Sequence, residues 1–169
     1  MDQDGDFSDY ASARWGTLVR SAVFLGCNLE EAHDLVQTTL LRCYIAWRKV
    51  EKAHDRDAYV YRILLNCHRD SRRRRWWGEQ PTGTLPERSS DSSATDQAHV
   101  ADAVDRALAD LSQVNREVVV LRYFADLSEQ QTAVALGIAT GTVKSRLSRA
   151  MAQLATNPHL SDHAEGPPR

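Results

Sequence analysis

The chain has 169 residues, of which 42% are hydrophobic, a length that suits one ordinary domain or two small ones and excludes large enzyme architectures. Its 21 Lys and Arg residues nearly balance 23 Asp and Glu residues, so the net charge of -2 gives no sign of a polyanion-binding protein. No apolar run approaches roughly 18 residues, and the first ten positions hold four aspartates and no basic residue, so we predict neither a membrane span nor a secretory signal. Cys27, Cys43 and Cys67 have no metal-site spacing, which predicts reduced thiols in a cytoplasmic protein without metal or cofactor.

Apolar residues recur at steps of three and four through the first 75 residues, the spacing of helices that each bury one stripe. The first predicted helix covers residues 7–25. The second covers residues 28–47 and begins with a start signal, in which Asn28 caps the first amides and Glu31 reaches back. The third begins at Asp55 or Asp57, runs to residue 75 and ends in concentrated positive charge.

The composition changes between residues 76 and 99, where Gly, Pro and Ser break the helical period and four acids against one arginine give a net charge of -3. We interpret this segment as a flexible acidic linker. Such a linker has a root-mean-square reach of roughly 27 Å and an extended limit of about 80 Å. It would let two domains sit more than one DNA turn (~35 Å) apart.

A second all-helical domain is predicted over residues 100–156, followed by a disordered tail over residues 157–169 that has too few apolar residues to pack. Nothing in the chain reads as a strand. The predicted fold class is therefore all-α, with two small helical domains joined by the acidic linker.

The clearest motif in the second domain is a helix-turn-helix. Ser128 and Gln131 form a capping box, Gly137 supplies the positive backbone angle of a sharp turn, and the second helix begins near residues 140–141. Its outward residues combine three cations with small hydrogen-bonding groups and no acid. They are Thr142, Lys144, Ser145, Arg146, Ser148 and Arg149. This face suits a DNA major groove, whereas the plainer alternative is a solvated helix hairpin.

A second motif is RDSRRRRWW, residues 69–77, where arginines precede two large aromatic residues. Arginine beside aromatic rings suits unpaired nucleic acid, because cations follow phosphates and rings stack on exposed bases. The alternative is a solvated basic helix end. For Trp76 and Trp77 we favour packing against their own domain.

The outward face of the second helix carries two aliphatic residues among polar groups, which is a weak sign of a protein-binding surface. Its members are Asp34, Gln37, Thr38, Leu41, Arg42 and Ile45.

The order of these pieces resembles an extracytoplasmic-function sigma factor of bacterial RNA polymerase. The likeness covers about residues 7–155 and lies in DLVQTTLLRCYIAW, DAYVYRILLNCHRDSRRRR, LRYFADLSEQQTAVALG and GTVKSRLSRA. PTGTLPE also resembles the linker of the sigma-E-like actinobacterial subset. The resemblance implies sigma region 2 in residues 1–75 and sigma region 4 in residues 100–156.

The resemblance also implies binding residues. The second helix would dock on the beta-prime clamp helices of core polymerase through Asp34, Gln37 and Leu41. The third helix would bind the minus-ten promoter element through Asn66, Arg69, Arg72 and Arg73. The helix-turn-helix would bind the minus-thirty-five element through Thr142, Lys144, Ser145, Arg146 and Arg149, while its domain touches the beta flap.

We therefore expect a nucleoid-associated initiation factor that confers promoter recognition and assists melting. It is not itself an enzyme, since the polymerase performs the chemistry. In this family an anti-sigma factor is a further candidate partner. The alternative is a stand-alone helix-turn-helix regulator that binds duplex as a dimer. A hydrolase has little support, because His33 and Asp34 point from different helix faces and His68 with Asp70 reads as a surface pair.

Overall fold

The computed structural model describes residues 3–78 and 96–161, and every regular element in these two ranges is helical. In chain order they are α1 Gln3–Phe24, α2 Leu29–Ile45, α3 Trp47–Glu51, α4 Arg56–Gly78, α5 Asp96–Ala109, α6 Gln113–Val119, a π-helical turn Val120–Phe124, α7 Glu129–Leu136, α8 Thr140–Ala155 and α9 Pro158–Ser161. We call α1 to α4 the N-terminal unit and α5 to α9 the C-terminal unit. The all-helical prediction is confirmed for these residues.

The start of α2 has the predicted capping box. The Asn28 side chain accepts a hydrogen bond from the Glu31 amide at 2.9 Å, and the Glu31 carboxylate accepts one from the Asn28 amide at 3.0 Å. The helix ends at Ile45, two residues earlier than predicted, because Ala46 leaves the helical conformation. Trp47 opens the separate α3 and is buried in the core of the N-terminal unit.

Of the two predicted starts of α4, the structure selects Asp55, whose carboxylate accepts a hydrogen bond from the Ala58 amide at 2.9 Å. The helix continues to Gly78, through the first residues of the predicted linker. Its last buried residue is His68, so the rest of α4 extends along the surface. The prediction that Trp76 and Trp77 pack on their own domain is wrong, because they follow that last buried turn and are 85% and 82% exposed.

The C-terminal unit ends in α9, where the sequence predicts a disordered tail. The Asn157 side chain donates to Asp110 at 3.0 Å and accepts a hydrogen bond from the His159 amide at 2.9 Å. These bonds fix the start of a short helix. The tail prediction is therefore wrong for residues 158–161, and residues 162–169 lie outside the described ranges.

The two units pack directly against each other. The rings of Phe24 and Phe124 stack with centroids 4.0 Å apart, and the side-chain amide of Gln131 donates a hydrogen bond to the Asp55 carboxylate at 2.5 Å. One continuous hydrophobic core contains buried residues of α1, α2, α4, α6, α7 and α8. The first helix of the helix-turn-helix therefore lies beside the N-terminal unit. Most of the predicted linker, residues 79–95, lies outside the described ranges.

Candidate functional site

The helix-turn-helix is formed by α7 and α8. The Ser128 hydroxyl accepts a hydrogen bond from the Gln131 amide at 3.1 Å, and the Gln131 side chain accepts one from the Ser128 amide at 2.7 Å. Gly137 ends α7 with a φ of 67°, a left-handed conformation that favours glycine. The capping box, the turn glycine and the start of the second helix at Thr140 are confirmed.

The outward face of α8 is polar and cationic, as predicted. Val143 and Ala150 are buried, whereas Lys144, Ser145 and Arg149 are exposed. Thr142 and Arg146 are half-buried at the edges of the same face. Lysine, arginine and hydroxyl side chains on one exposed helix face are the donors that phosphates and base edges accept.

One of the three cations on this face has an acidic neighbour. The Lys144 ammonium lies 3.7 Å from the Glu129 carboxylate of α7, which is an exposed and weak pairing. Within residues 3–78 and 96–161, Arg146 and Arg149 have no ion-pair partner. Their charges are therefore available to an external anion.

The predicted minus-ten residues lie on the exposed side of α4. Asn66, Arg69, Arg72 and Arg73 are all exposed. The Arg73 guanidinium donates to Asp70 at 3.2 Å, one turn earlier on the same helix, and 71% of its side chain remains exposed. The structure thus gathers the four predicted side chains on one helix, from the middle of α4 towards its C-terminal end.

Arg69 differs from the other three because it contacts the C-terminal unit. Its guanidinium donates two hydrogen bonds to Glu117 of α6, at 2.7 and 3.3 Å. The Glu117 side chain is only 2% exposed and also accepts a hydrogen bond from Gln113 at 3.2 Å. Glu117 was not predicted as a site residue, because no local pattern in the sequence marks a partner 48 residues away.

His68 is buried beneath these arginines, so its interpretation as a surface pair with Asp70 is wrong. It lies on the inner side of α4, 4% exposed, and its Nδ1 atom has no hydrogen-bond partner among the residues that the structure describes. Burial lowers the pKa of His68 from 6.5 to about 4, and the neighbouring Arg72 guanidinium adds to this effect, so the imidazole is neutral at pH 7.

The predicted core-polymerase residues are exposed on α2, in two neighbouring grooves. Gln37 and Leu41 line an apolar groove with Phe7 and Trp15 of α1, and Leu41 is 60% exposed. Asp34 instead faces a groove of about 500 Å³ between α2 and the arginine-rich end of α4. The exposed side of α2 forms a ridge between the two grooves, and Asp34, Gln37 and Leu41 all lie on this ridge.

The three cysteines are free thiols. Burial raises the pKa of Cys27 to about 11 and that of Cys43 to about 12, so both are protonated and weakly nucleophilic at neutral pH. Among the residues that the structure describes, no group of His, Cys, Asp and Glu side chains could hold a metal ion. No helix in the same part of the chain is long and apolar enough to cross a membrane.

Comparison with known proteins assigns both halves of the chain to families. Residues 10–78 match sigma-70 region 2, and residues 101–154 match sigma-70, region 4. The chain is 40% identical over 149 residues to the RNA polymerase sigma-E factor of Streptomyces coelicolor, covering 88% of this chain and 84% of that protein. It is 35% identical over 159 residues to the ECF RNA polymerase sigma factor SigL of Mycobacterium tuberculosis, covering 88% and 84%.

Two solved structures share the fold. The sigma factor RpoE from Bartonella quintana, in complex with the anti-sigma factor NepR, has a TM-score of 0.70 and 27% identity, covering 88% of this chain and 94% of RpoE. CnrH, in complex with the cytosolic domain of CnrY, has a TM-score of 0.67 and 24% identity, covering 94% of this chain and 89% of CnrH. The two family matches span α1 to α4 and α5 to α8 respectively, on either side of the predicted linker.

Proposed function

The chain belongs to the extracytoplasmic-function family of RNA polymerase sigma factors, and on that premise we propose that α8 binds the minus-thirty-five element as duplex while the exposed side of α4 binds the minus-ten element. A sigma factor gives RNA polymerase its promoter recognition and assists promoter melting. The polymerase performs the chemistry, so this chain supplies binding surfaces and no catalytic residue. It acts on chromosomal DNA in the cytoplasm.

The observation that carries the minus-thirty-five assignment is the cationic outward face of α8. Arg146 and Arg149 have no acidic partner within the described residues, and the pairing of Lys144 with Glu129 is weak enough for a phosphate to replace it. Thr142 and Ser145 add hydroxyl groups on the same face. Phosphate contacts fix the helix in the groove, and the long cationic side chains reach base edges from there.

The salt dependence of promoter binding tests this assignment. Holoenzyme with the triple substitution Lys144→Glu, Arg146→Glu and Arg149→Glu should bind duplex promoter more weakly, with a salt slope reduced by about 0.9 for each phosphate that the variant no longer neutralises. The exposed Arg20 of α1 provides a charge-reversal control, because Arg20→Glu lies on a helix to which no DNA contact is assigned. An unchanged slope in the triple variant would contradict the assignment.

The minus-ten assignment rests on the exposed polar side chains of α4. Asn66 offers a donor and acceptor for base edges, and the arginines beyond it supply charge for phosphates. Replacing Arg72 to Arg75 with Ser should reduce open-complex formation more than it reduces core-polymerase binding. Equal loss of both would mean that these arginines hold the N-terminal unit together instead.

The ridge of α2 is proposed as the core-polymerase surface. The exposed Leu41 beside Gln37 supplies an apolar contact, and Asp34 supplies a negative charge at the ridge's other end. Leu41→Ala should weaken core binding measured by co-purification, while leaving duplex binding by α8 unchanged. The beta flap is the proposed partner of the C-terminal unit.

An anti-sigma factor is a further proposed partner. RpoE, which is 27% identical to this chain over most of its length, was solved in complex with such a factor. Affinity purification of the tagged chain from its own cells, followed by competition with core polymerase, tests this proposal. A partner of this class must be displaced by core polymerase.

A further inference from the structure

The groove of about 500 Å³ between α2 and the end of α4 is bounded by two ion pairs. The Arg75 guanidinium lies 2.6 Å from the Glu31 carboxylate at one end, and the Arg42 guanidinium lies 3.8 Å from the Asp70 carboxylate at the other. At about 1.5 Å per residue, Glu31 and Arg42 lie roughly 16 Å apart along α2. Pockets that hold small molecules have volumes of about 300–1,000 Å³, so the groove has the size of such a pocket.

Cations outnumber acids on the walls of this groove. Five arginines and three carboxylates line it, whereas the whole chain has a net charge of -2. The two ion pairs use two members of each set, and the third carboxylate belongs to Asp34 of α2. In the part of the chain that the structure describes, Arg72 and Arg74 have no ion-pair partner. Two guanidinium groups therefore remain for an external anion.

The positive charge is concentrated at the end of the groove where Arg75 meets α2. Arg116 of α6 also lines the groove, with its side chain only 14% exposed and the Asp105 carboxylate 3.4 Å away. The Cys27 thiol, which lies just before α2, interacts electrostatically with Arg72, Arg75 and Arg116, so these three guanidinium groups lie close to one point. Like charges at short range repel each other, and a bound anion would offset that repulsion.

The floor of the groove combines apolar residues with a buried polar side chain. His68 lines it and is 4% exposed, and the described residues offer no hydrogen-bond partner to its Nδ1 atom. Leu25, Leu35 and Cys67 are the buried apolar residues of the same lining. A concave site with an apolar floor and a few placed polar and charged groups is typical of a small-molecule site.

We propose that this groove binds the phosphate chain of a small polyphosphate, either free or carried by a nucleoside. Arg72 and Arg74 donate hydrogen bonds to phosphate oxygens, because the planar guanidinium group matches their geometry, and Arg116 adds positive charge from the other unit. A small anion fits better than a nucleic-acid strand, because the ion pairs close the groove at both ends. The proposal goes beyond the promoter contacts proposed above, although the arginines at the end of α4 take part in both.

Isothermal titration calorimetry of the full chain tests the proposal. Inorganic triphosphate, ATP and adenosine are each titrated into the protein at about 0.15 M salt, which screens weak interactions between exposed charges. The test variant is Arg72→Ser with Arg74→Ser, and both side chains are exposed, so the fold should survive. The control variant is Arg20→Ser with Arg48→Ser, which removes two exposed arginines outside the groove.

The wild type and the control variant should bind one triphosphate per chain, and the test variant should bind it about 10- to 100-fold more weakly. ATP that binds no tighter than triphosphate identifies the phosphate chain alone as the ligand, and tighter binding of ATP shows that the groove also holds the nucleoside. Absence of saturable binding below about 1 mM overturns the proposal. So do equal affinities in the test and control variants, or adenosine binding as tightly as ATP.

The imidazole proton resonances of His68 locate the ligand independently of the arginine variants. His68→Gln identifies its signal, which should shift on addition of triphosphate, whereas the signals of His54 and His159, outside the groove, should not. An unshifted His68 signal at saturation overturns the assignment to this groove. So does a shift caused by a single-stranded oligonucleotide and not by triphosphate. Core polymerase and promoter are absent, so the result does not depend on the minus-ten assignment.

Discussion

The single buried side chain of His68 makes the free energy of unfolding depend on pH. Its folded pKa of about 4 lies below the ordinary value of 6.5, mainly because burial disfavours the charged imidazole. The nearby Arg72, Arg116 and Arg69 guanidinium groups add to the lowering, and the Glu117 carboxylate opposes it. The unfolded chain therefore binds this proton at a higher pH than the folded chain does.

We predict that the protein loses stability as pH falls from about 6.5 towards 4, with at most about 3 kcal/mol of the free energy of unfolding due to His68. Urea unfolding at pH 7.5 and at pH 4.5 measures the change. His68→Gln keeps a polar side chain of similar length but cannot titrate, so its loss between the two pH values should be smaller. Equal losses in both proteins would show that His68 is not the group responsible.

For single residues, the sequence could predict those candidate contacts that depend on residues nearby in the chain. Lys144, Arg146 and Arg149 follow a recognisable turn, so their position on the outward face of α8 follows from helix spacing alone. The burial of His68 does not, because α4 is polar around most of its C-terminal half and the helices that cover His68 come from both units. The pairing of Arg69 with Glu117 is equally invisible to local spacing.

At the scale of elements, the turn between α7 and α8 depends on one glycine. Gly137 has a φ of 67°, and a side-chain carbon added there would meet no atom within 4 Å, so strain alone would oppose a substitution. Gly137→Ala should reduce the free energy of unfolding by about 1 kcal/mol. Gly137→Asn should cost less, because asparagine tolerates this conformation.

Gly16 provides the matched control. It lies inside α1 and is equally free of neighbours within 4 Å, with an ordinary helical φ, so Gly16→Ala should stabilise the protein by about 0.5–1 kcal/mol. The midpoints of urea unfolding of the two alanine variants should therefore shift in opposite directions. A shift in the same direction would refute the assignment of the cost to backbone conformation.

Helix starts and the turn were predictable because their signals lie within four residues of each other. The capping pairs Asn28 with Glu31 and Ser128 with Gln131 are examples, and both form as expected. The break between α2 and α3 and the π-helical turn Val120–Phe124 were not predicted. At both places the helical spacing of apolar residues continues without a gap. The sequence pattern therefore does not reveal the change in backbone conformation, which depends on tertiary packing.

At the scale of the whole molecule, the contact between the two units depends on a buried carboxylate. Glu117 is 2% exposed at its side chain, whereas its partner Arg69 is 42% exposed. Removing the arginine leaves a charge inside the protein, while neutralising the glutamate leaves an arginine that water can reach.

We therefore predict that Arg69→Ala lowers the free energy of unfolding by about 1–3 kcal/mol, and that Glu117→Gln costs less because the amide can still bond to Gln113. Urea unfolding and small-angle X-ray scattering, which reports separation of the units, measure the two effects. Arg73→Ala, whose partner Asp70 is on the same helix, is the control and should leave the scattering unchanged. Equal costs for the Arg69 and Glu117 variants would contradict the asymmetry.

The packing of the two units was not predictable from the linker, whose length permits contact as well as separation. Hydrogen bonds that join the units connect residues 48, 76 and 92 positions apart in the chain: Arg69 with Glu117, Gln131 with Asp55, and Arg116 with the Phe24 carbonyl. Local periodicity reports which face of each helix is buried. It does not report whether that face meets its own unit or the other one.

The guanidinium of Arg69 cannot serve Glu117 and a promoter phosphate at the same time with the same donors. On the proposed role of α4, promoter binding through Arg69 would therefore compete with an internal anion, and the affinity measured for DNA would include the free energy of releasing Arg69 from Glu117. Thermodynamic reciprocity then applies: whatever multiplies the population of molecules with Arg69 released multiplies promoter affinity, and a bound promoter favours release by the same factor.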